Sequence, residues 1–301
     1  MSKKQIAFTL IELLVVIAII GILSGLIVVS MSGVTQKATI AKAQVFSNSL
    51  RNSLMLNLVS EWKFDEVNVP SAGKTPDSWS GGNTGTLNNS PAVQETGCIS
   101  GKCLKFDGSD DYVSVVDNSN LRLISQGTIS LWIKPESLTQ DSYAGFVSKA
   151  NGGNYSEVAY SFSWRQIGNV IRGAICGNSS QDQIDMPLLS DLNWHYLVFF
   201  WNGSYLNLYK DGLLAATPVA QTMNAPEGIG KNLKIGGYTY EAAAAGNQEF
   251  SGLIDEVRIY NLAISASQIK EQYYAGLNSL LSSGGITQEE YLSRISNIAK
   301  K

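Results

Sequence analysis

The sequence predicts a long N-terminal α-helix, membrane-spanning in its first half and amphipathic in its second. An all-β sandwich of the jelly-roll type follows, and short C-terminal helices close the chain. Three observations carry this. A basic head precedes an unbroken apolar run from Phe8 to Val29. Phe46, Leu50, Leu54 and Leu58 then recur at every fourth place, a one-sided helical stripe. From Glu61 to about Asn261 the pattern alternates with period two between turn residues, and no helical stretch of any length interrupts it. The expected organisation is a leader at 1–7, a helix at 8–60, a sandwich at 61–276 and a helical tail at 277–301.

The apolar run is about long enough to cross a bilayer as a helix. Lys3 and Lys4 precede it, and no Lys or Arg follows until Lys37, which places the head in the cytoplasm and the remainder outside. Within the run stands Glu12. A carboxylate in a membrane helix costs about 2.5 kcal/mol or more, so it needs a partner or access to the headgroups. From Phe8 to Leu58 a single helix would be about 75 Å long.

Ala7-Phe8-Thr9-Leu10-Ile11-Glu12-Leu13-Leu14-Val15-Val16 resembles the prepilin signature of type IV pilins and type II secretion pseudopilins. The resemblance covers roughly residues 1–35. It implies cleavage between Ala7 and Phe8 by a prepilin peptidase and N-methylation of Phe8. It also implies pairing of Glu12 with the Phe8 amine of a neighbouring subunit. Two features depart from the family. Ala7 stands where Gly is usual, and no Pro ends the apolar run.

In the sandwich region, 112–115, 127–134, 155–164, 170–175 and 250–260 read as strands. The segment Trp194–Thr217 carries Asn202-Gly203 and Asp211-Gly212, two-residue hairpin turns that predict a three-stranded meander. Several landmarks resemble the laminin G-like, concanavalin A-like jelly roll: Trp62-Lys63-Phe64-Asp65, Leu104-Lys105-Phe106-Asp107-Gly108, Leu131-Trp132-Ile133-Lys134-Pro135, Trp194-His195 and Ile254-Asp255-Glu256-Val257-Arg258. That family implies a curved sandwich, frequent calcium binding and recognition of carbohydrate or protein. It also hosts glycosidases, so fold alone does not decide function. In the tail, Ser265 to Gln268 reads as a capping box for a helix over Ile269 to Tyr274, with Gly276 as its end. Thr287 caps a second helix toward Ala299.

Cys98 and Cys103 lie five residues apart. They close as a small disulfide loop if the domain is exported. The other reading, a metal half-site, finds no second Cys or His pair to complete it. Cys176, on an apolar strand, reads as a buried thiol.

For catalysis, a sandwich glycosidase needs two carboxylates facing one cleft. Asp65-Glu66 and Asp255-Glu256 are adjacent, and neighbours on a strand point to opposite faces. His195, the single histidine, lies in an aromatic strand and reads as structural. The expectation is therefore a binding protein and not an enzyme. For calcium, the Asp77-to-Asn83 loop resembles the family's ligand loop, which acts with the Asp of the last strand, here Asp255. Asp107, Asp110 and Asp111 read as shaping a turn. For a ligand surface, Tyr155, Tyr238 and Tyr240 border Asn- and Gly-rich loops and suit sugar rings.

The net charge of −3 gives no reason to expect nucleic acid. The functional expectation is a pilin-like subunit, first in the cytoplasmic membrane and then on a filament or the cell surface. Its partners are other pilin subunits, and its head binds a glycan or a surface protein. The alternatives are a secretion pseudopilin that engages exported substrates and a membrane-anchored glycosidase.

Overall fold

The computed structural model describes residues 10–11, 13–15, 17–20, 55–66, 73–79, 81–150, 158–177, 180–238 and 248–299. The chain divides into two compact units, Met1–Ser53 and Leu54–Lys301. In the first unit the described residues are helical, and their large apolar side chains are exposed. Among the described residues no helix is long and apolar enough to cross a membrane. The expected membrane half, with Ala7, Phe8 and Glu12, lies largely outside the described residues.

Among the described residues the second unit contains seventeen strands and two α-helices. In chain order the strands are β1 (Leu58–Trp62), β2 (Lys74–Thr75), β3 (Gly85–Asn88), β4 (Ala92–Gln94), β5 (Cys103–Asp107), β6 (Tyr112–Val115), β7 (Gln126–Pro135), β8 (Ala144–Ala150) and β9 (Val158–Arg165). They continue with β10 (Val170–Cys176), β11 (Gln181–Pro187), β12 (His195–Asn202), β13 (Tyr205–Lys210), β14 (Leu213–Leu214), β15 (Val219–Ala220), β16 (Leu233–Ile235) and β17 (Ser251–Tyr260). The helices are α1 (Ala266–Ser282) and α2 (Gln288–Ala299).

These strands build two antiparallel sheets. The first runs β14-β13-β12-β7-β17-β5-β4, with β1 added to β17 and β15 to β13. The second runs β11-β10-β9-β8-β16-β6-β3-β2. Alternating residues from both sheets, among them Ile129, Phe146, Phe162, Trp164, Phe199 and Ile259, fill the space between them. That is the two-layer sandwich which period-two patterning demands.

A third layer covers the first sheet's outer face. Trp132, Tyr196 and Tyr260 from the sheet, with Trp194 just before β12, pack with Ile269, Tyr273, Leu277 and Leu280 of α1, with Ile286 and with Ile298 of α2. The Ser265 capping box is present, yet α1 does not end at Gly276 as the sequence suggests. A Cβ at Gly276 would sit 2.3 Å from Trp132 Cζ2. The glycine is a close-approach site inside the helix, not a stop. The chain leaves the helix at Ser283 and Gly284, whose φ is 75°.

Two other expectations change in detail. Leu58 and Val59 continue the helical stripe on paper, but they open β1, which pairs with β17 from Leu58↔Tyr260 to Trp62↔Val257. Ladder pairing overrides local periodicity there. Asp211-Gly212 is the two-residue turn expected, with both φ values positive (53° and 79°) between paired Lys210 and Leu213. Asn202 instead stays in β12, because its other edge pairs with Gln126 of β7. Its side-chain oxygen accepts from Ser204 N at 3.0 Å and Tyr205 N at 2.8 Å, and only Gly203 takes positive φ, at 85°.

Candidate functional site

The expected calcium residues lie in two separate networks. Asp77 Oδ1 accepts from Glu61 N (2.9 Å) and Trp79 N (3.0 Å), and Oδ2 accepts from Asn83 N (3.1 Å). Asn83 directs its amide nitrogen to Ser60 Oγ (2.6 Å) and Asn120 Oδ1 (3.1 Å), while its buried oxygen has no protein partner among the described residues. Gly81 makes this loop possible, since a Cβ there would lie 2.2 Å from the Val59 carbonyl oxygen. Asp255 accepts instead from Ile99 N (2.8 Å), Ser100 N (3.3 Å) and Glu256 N (2.7 Å). Asp77 and Asp255 have no hydrogen-bond partner in common. The Asp77 and Asp255 carboxylates are each held by their own set of backbone N–H groups.

Asp255 has a different task. β17 shares one edge between two strands: residues 251–254 pair with β5 and 257–260 with β1. Asp255 sits at the seam and ties down the 98–103 loop, which Cys98 and Cys103 close as a disulfide. Burial and the Glu256 carboxylate push its carboxyl well up, against the three backbone N–H groups. The seam contains a bulge, with Glu256 at φ 52° and a register shift against β7 between Asp255 and Arg258. Strict alternation therefore fails at Asp255-Glu256, contrary to the sequence argument. The bulge keeps Ile254, Val257 and Ile259 all on the core side. Glu256 pairs with Arg258, whose Nε also meets Glu61 at 2.7 Å.

The other groups weighed in the sequence have partners within the fold. His195 Nδ1 faces Asp211 Oδ2 at 2.8 Å and Nε2 faces Asp191 Oδ1 at 3.1 Å, so both ring nitrogens are engaged. The acids before Tyr112 shape their turn: Asp107 Oδ1 accepts from Ser109 N, and Asp111 Oδ2 accepts from Asp107 N. Cys176 is buried and free, with burial pushing its thiol up to about 12 against the nearby Arg165 charge. Tyr160 and Trp164 belong to the core.

The outer face of the second sheet is different in character. Along β9, Tyr160, Phe162 and Trp164 face the core, so Ser161, Ser163 and Arg165 face outward. The Arg165 guanidinium lies over two tyrosines, 4.5 Å from the Tyr143 ring centre and 5.0 Å from that of Tyr238. The two rings are within 16° of parallel, with centres 6.5 Å apart. Arg165 Nε donates to Ser163 Oγ at 3.0 Å, and its Nη2 donates to the Tyr238 hydroxyl at 3.4 Å. Toward β6, Lys234 Nζ lies 4.2 Å from the Tyr112 ring centre. Burial lowers the Lys234 ammonium and raises the neighbouring Glu249 carboxyl.

Tyr238 was expected from sequence, and the structure places it in this clamp. Tyr155 and Tyr240 lie outside the described residues. Arg165 and Tyr143 were not anticipated. The signal for Arg165 was available: it continues the small polar series Ser161, Ser163 opposite an aromatic core series.

A family model described as the concanavalin A-like lectin/glucanases superfamily matches residues 107–270, more than half of the 301-residue chain. The chain belongs to this superfamily. A second model, the prokaryotic N-terminal methylation motif, matches residues 2–28. No curated protein matches the chain.

Solved members of similar fold include domain 4 of AbnA, a GH43 extracellular arabinanase from Geobacillus stearothermophilus, in complex with arabinotriose. It is 20% identical with a TM-score of 0.53, over 71% of this chain and 97% of that one. The binding domain of Paraclostridial Mosquitocidal Protein 1 is 15% identical with a TM-score of 0.56, over 75% of this chain and 53% of that one. The Botulinum neurotoxin serotype D binding domain is 15% identical at the same TM-score, over 76% and 53%. The alignment thus spans about half the length of the toxin domains. At these identities the likeness establishes the lectin-like sandwich and no more. Within the superfamily sandwich of this chain, α1 and α2 cover the outer face of the first sheet, and the Tyr143–Arg165–Tyr238 clamp lies on that of the second.

Proposed function

We propose that this chain is a pilin-like surface subunit whose superfamily sandwich recognises carbohydrate and does not cleave it. The observation that carries the reading is the presence on one chain of the methylation motif at 2–28 and the lectin-like domain at 107–270. On this reading a prepilin peptidase removes residues 1–7, and Glu12 pairs with the Phe8 amine of the next subunit during assembly. The sandwich is then displayed on the filament or the cell surface. The AbnA domain holding arabinotriose, and toxin modules described as binding domains, support binding over catalysis. So does the engagement of the adjacent acids of the last strand: Asp255 is held by backbone N–H groups and Glu256 by Arg258. Aromatic faces beside hydroxyl donors suit a sugar, which presents a C–H face and a rim of hydroxyls.

The test is to screen the full chain in detergent against immobilised oligosaccharides of varied composition, and to assay the same sugars for shortened products. Retention of one glycan class without hydrolysis is expected. Absence of any retention would sink the carbohydrate reading, and product formation would replace binding with catalysis.

A further inference from the structure

We infer that Arg165 is a built receptor for a carboxylate, so that the glycan this domain takes is an acidic one. The inference rests on the carbohydrate reading and narrows it.

The argument begins with burial. Among the described residues two Lys or Arg side chains are counted as buried, Lys149 and Arg165. Lys149 has its counter-charge in Asp117, at 2.6 Å. Arg165 is 8% exposed and forms no ion pair with any described carboxylate. A buried cation without an anion is costly, and proteins seldom keep one without use. A guanidinium has five N–H donors. Ser163 and Tyr238 accept from two of them, which leaves three of the five without a protein acceptor among the described residues.

The surroundings suit an incoming anion. Tyr143 and Tyr238 lie against the guanidinium, and Ser163 and the Tyr238 hydroxyl accept from it, so little freedom remains to be lost on binding. A planar, pre-oriented fork matches a carboxylate in bidentate fashion. The tyrosine faces beside it favour a sugar carboxylate over a peptide one. Uronic and sialic acids are two sugar sources of such a group.

The test uses the full chain in detergent and reads affinity by calorimetry. The probes are an oligouronide, a sialylated oligosaccharide, the carboxyl-reduced form of each, and poly-glutamate. We expect one acidic glycan to bind about tenfold or more tighter than its reduced form, as a charge-assisted hydrogen bond requires. We expect Arg165→Gln to abolish that preference without lowering the melting temperature, because it removes an uncompensated charge. If the wild-type chain binds neutral and acidic forms alike, the inference is wrong while the carbohydrate reading stands. Poly-glutamate binding as tightly as either glycan overturns it in favour of an acidic peptide. A destabilised Arg165→Gln that retains the preference assigns Arg165 to the fold alone. Failure of every sugar, in this assay and in the screen, removes both.

Discussion

Asp117 shows how one carboxylate can fasten several segments. It accepts from Lys149 Nζ at 2.6 Å, Arg122 Nη2 at 2.7 Å and Gly230 N at 2.7 Å. Burial alone would raise its carboxyl, but Arg122, Lys149 and the Gly230 N–H outweigh it and hold the group well below the usual range. Lys149 is fully buried, and its other acceptor is the Lys231 carbonyl. Removing the carboxylate strands that ammonium. Asp117→Ala is expected to destabilise the domain by about 3–5 kcal/mol, read by urea unfolding. The sign of the pH dependence follows from the depressed folded value. The contribution is fully present above the unfolded carboxylate range, near about pH 4, and is lost as pH falls through the lower folded value. Acid unfolding of the wild type that Asp117→Asn leaves unchanged would refute this assignment.

At the scale of elements, α1 shows why a sequence stop signal can fail. Gly276 lies in mid-helix, where glycine is unfavourable by about 1 kcal/mol relative to alanine. It is tolerated because the helix backbone packs on Trp132, whose ring stacks on Tyr273 with centres 5.5 Å apart. Gly276→Ala should therefore destabilise by about 1–3 kcal/mol despite its better helix propensity, because overpacking outweighs propensity. A rise in the thermal midpoint would show that the contact yields easily. The same competition governs Asn202, held extended by Gln126, and the bulge at Glu256, which breaks alternation to keep the core side apolar. In each case neighbours distant in sequence override a correct local rule.

On the scale of the whole chain, the methylation motif makes a chemical claim about the terminus of the mature protein. We expect mass spectrometry of the subunit from sheared surface filaments to find an N-methylated Phe8 as first residue. An intact Met1-to-Ala7 leader, confined to the membrane fraction, would end the assembly role given to Glu12. The protein would then be an anchored surface lectin or enzyme.

The sequence by itself determined the two-sheet sandwich, eight of its seventeen described strands, the Asp211-Gly212 turn and both helix caps in the tail. These follow from period, turn chemistry and capping, which are local and survive without knowledge of neighbours. Tertiary structure decided what non-local pairing controls. It joined Leu58 to Tyr260 across the chain and turned the tail helices into a third layer on Trp132. It gave Asp77 and Asp255 separate partners. It also brought Tyr143, Arg165 and Tyr238, from three separate segments, onto one face. A buried charge declares itself only when the fold shows which counter-charges lie within reach, and sequence spacing cannot report that distance.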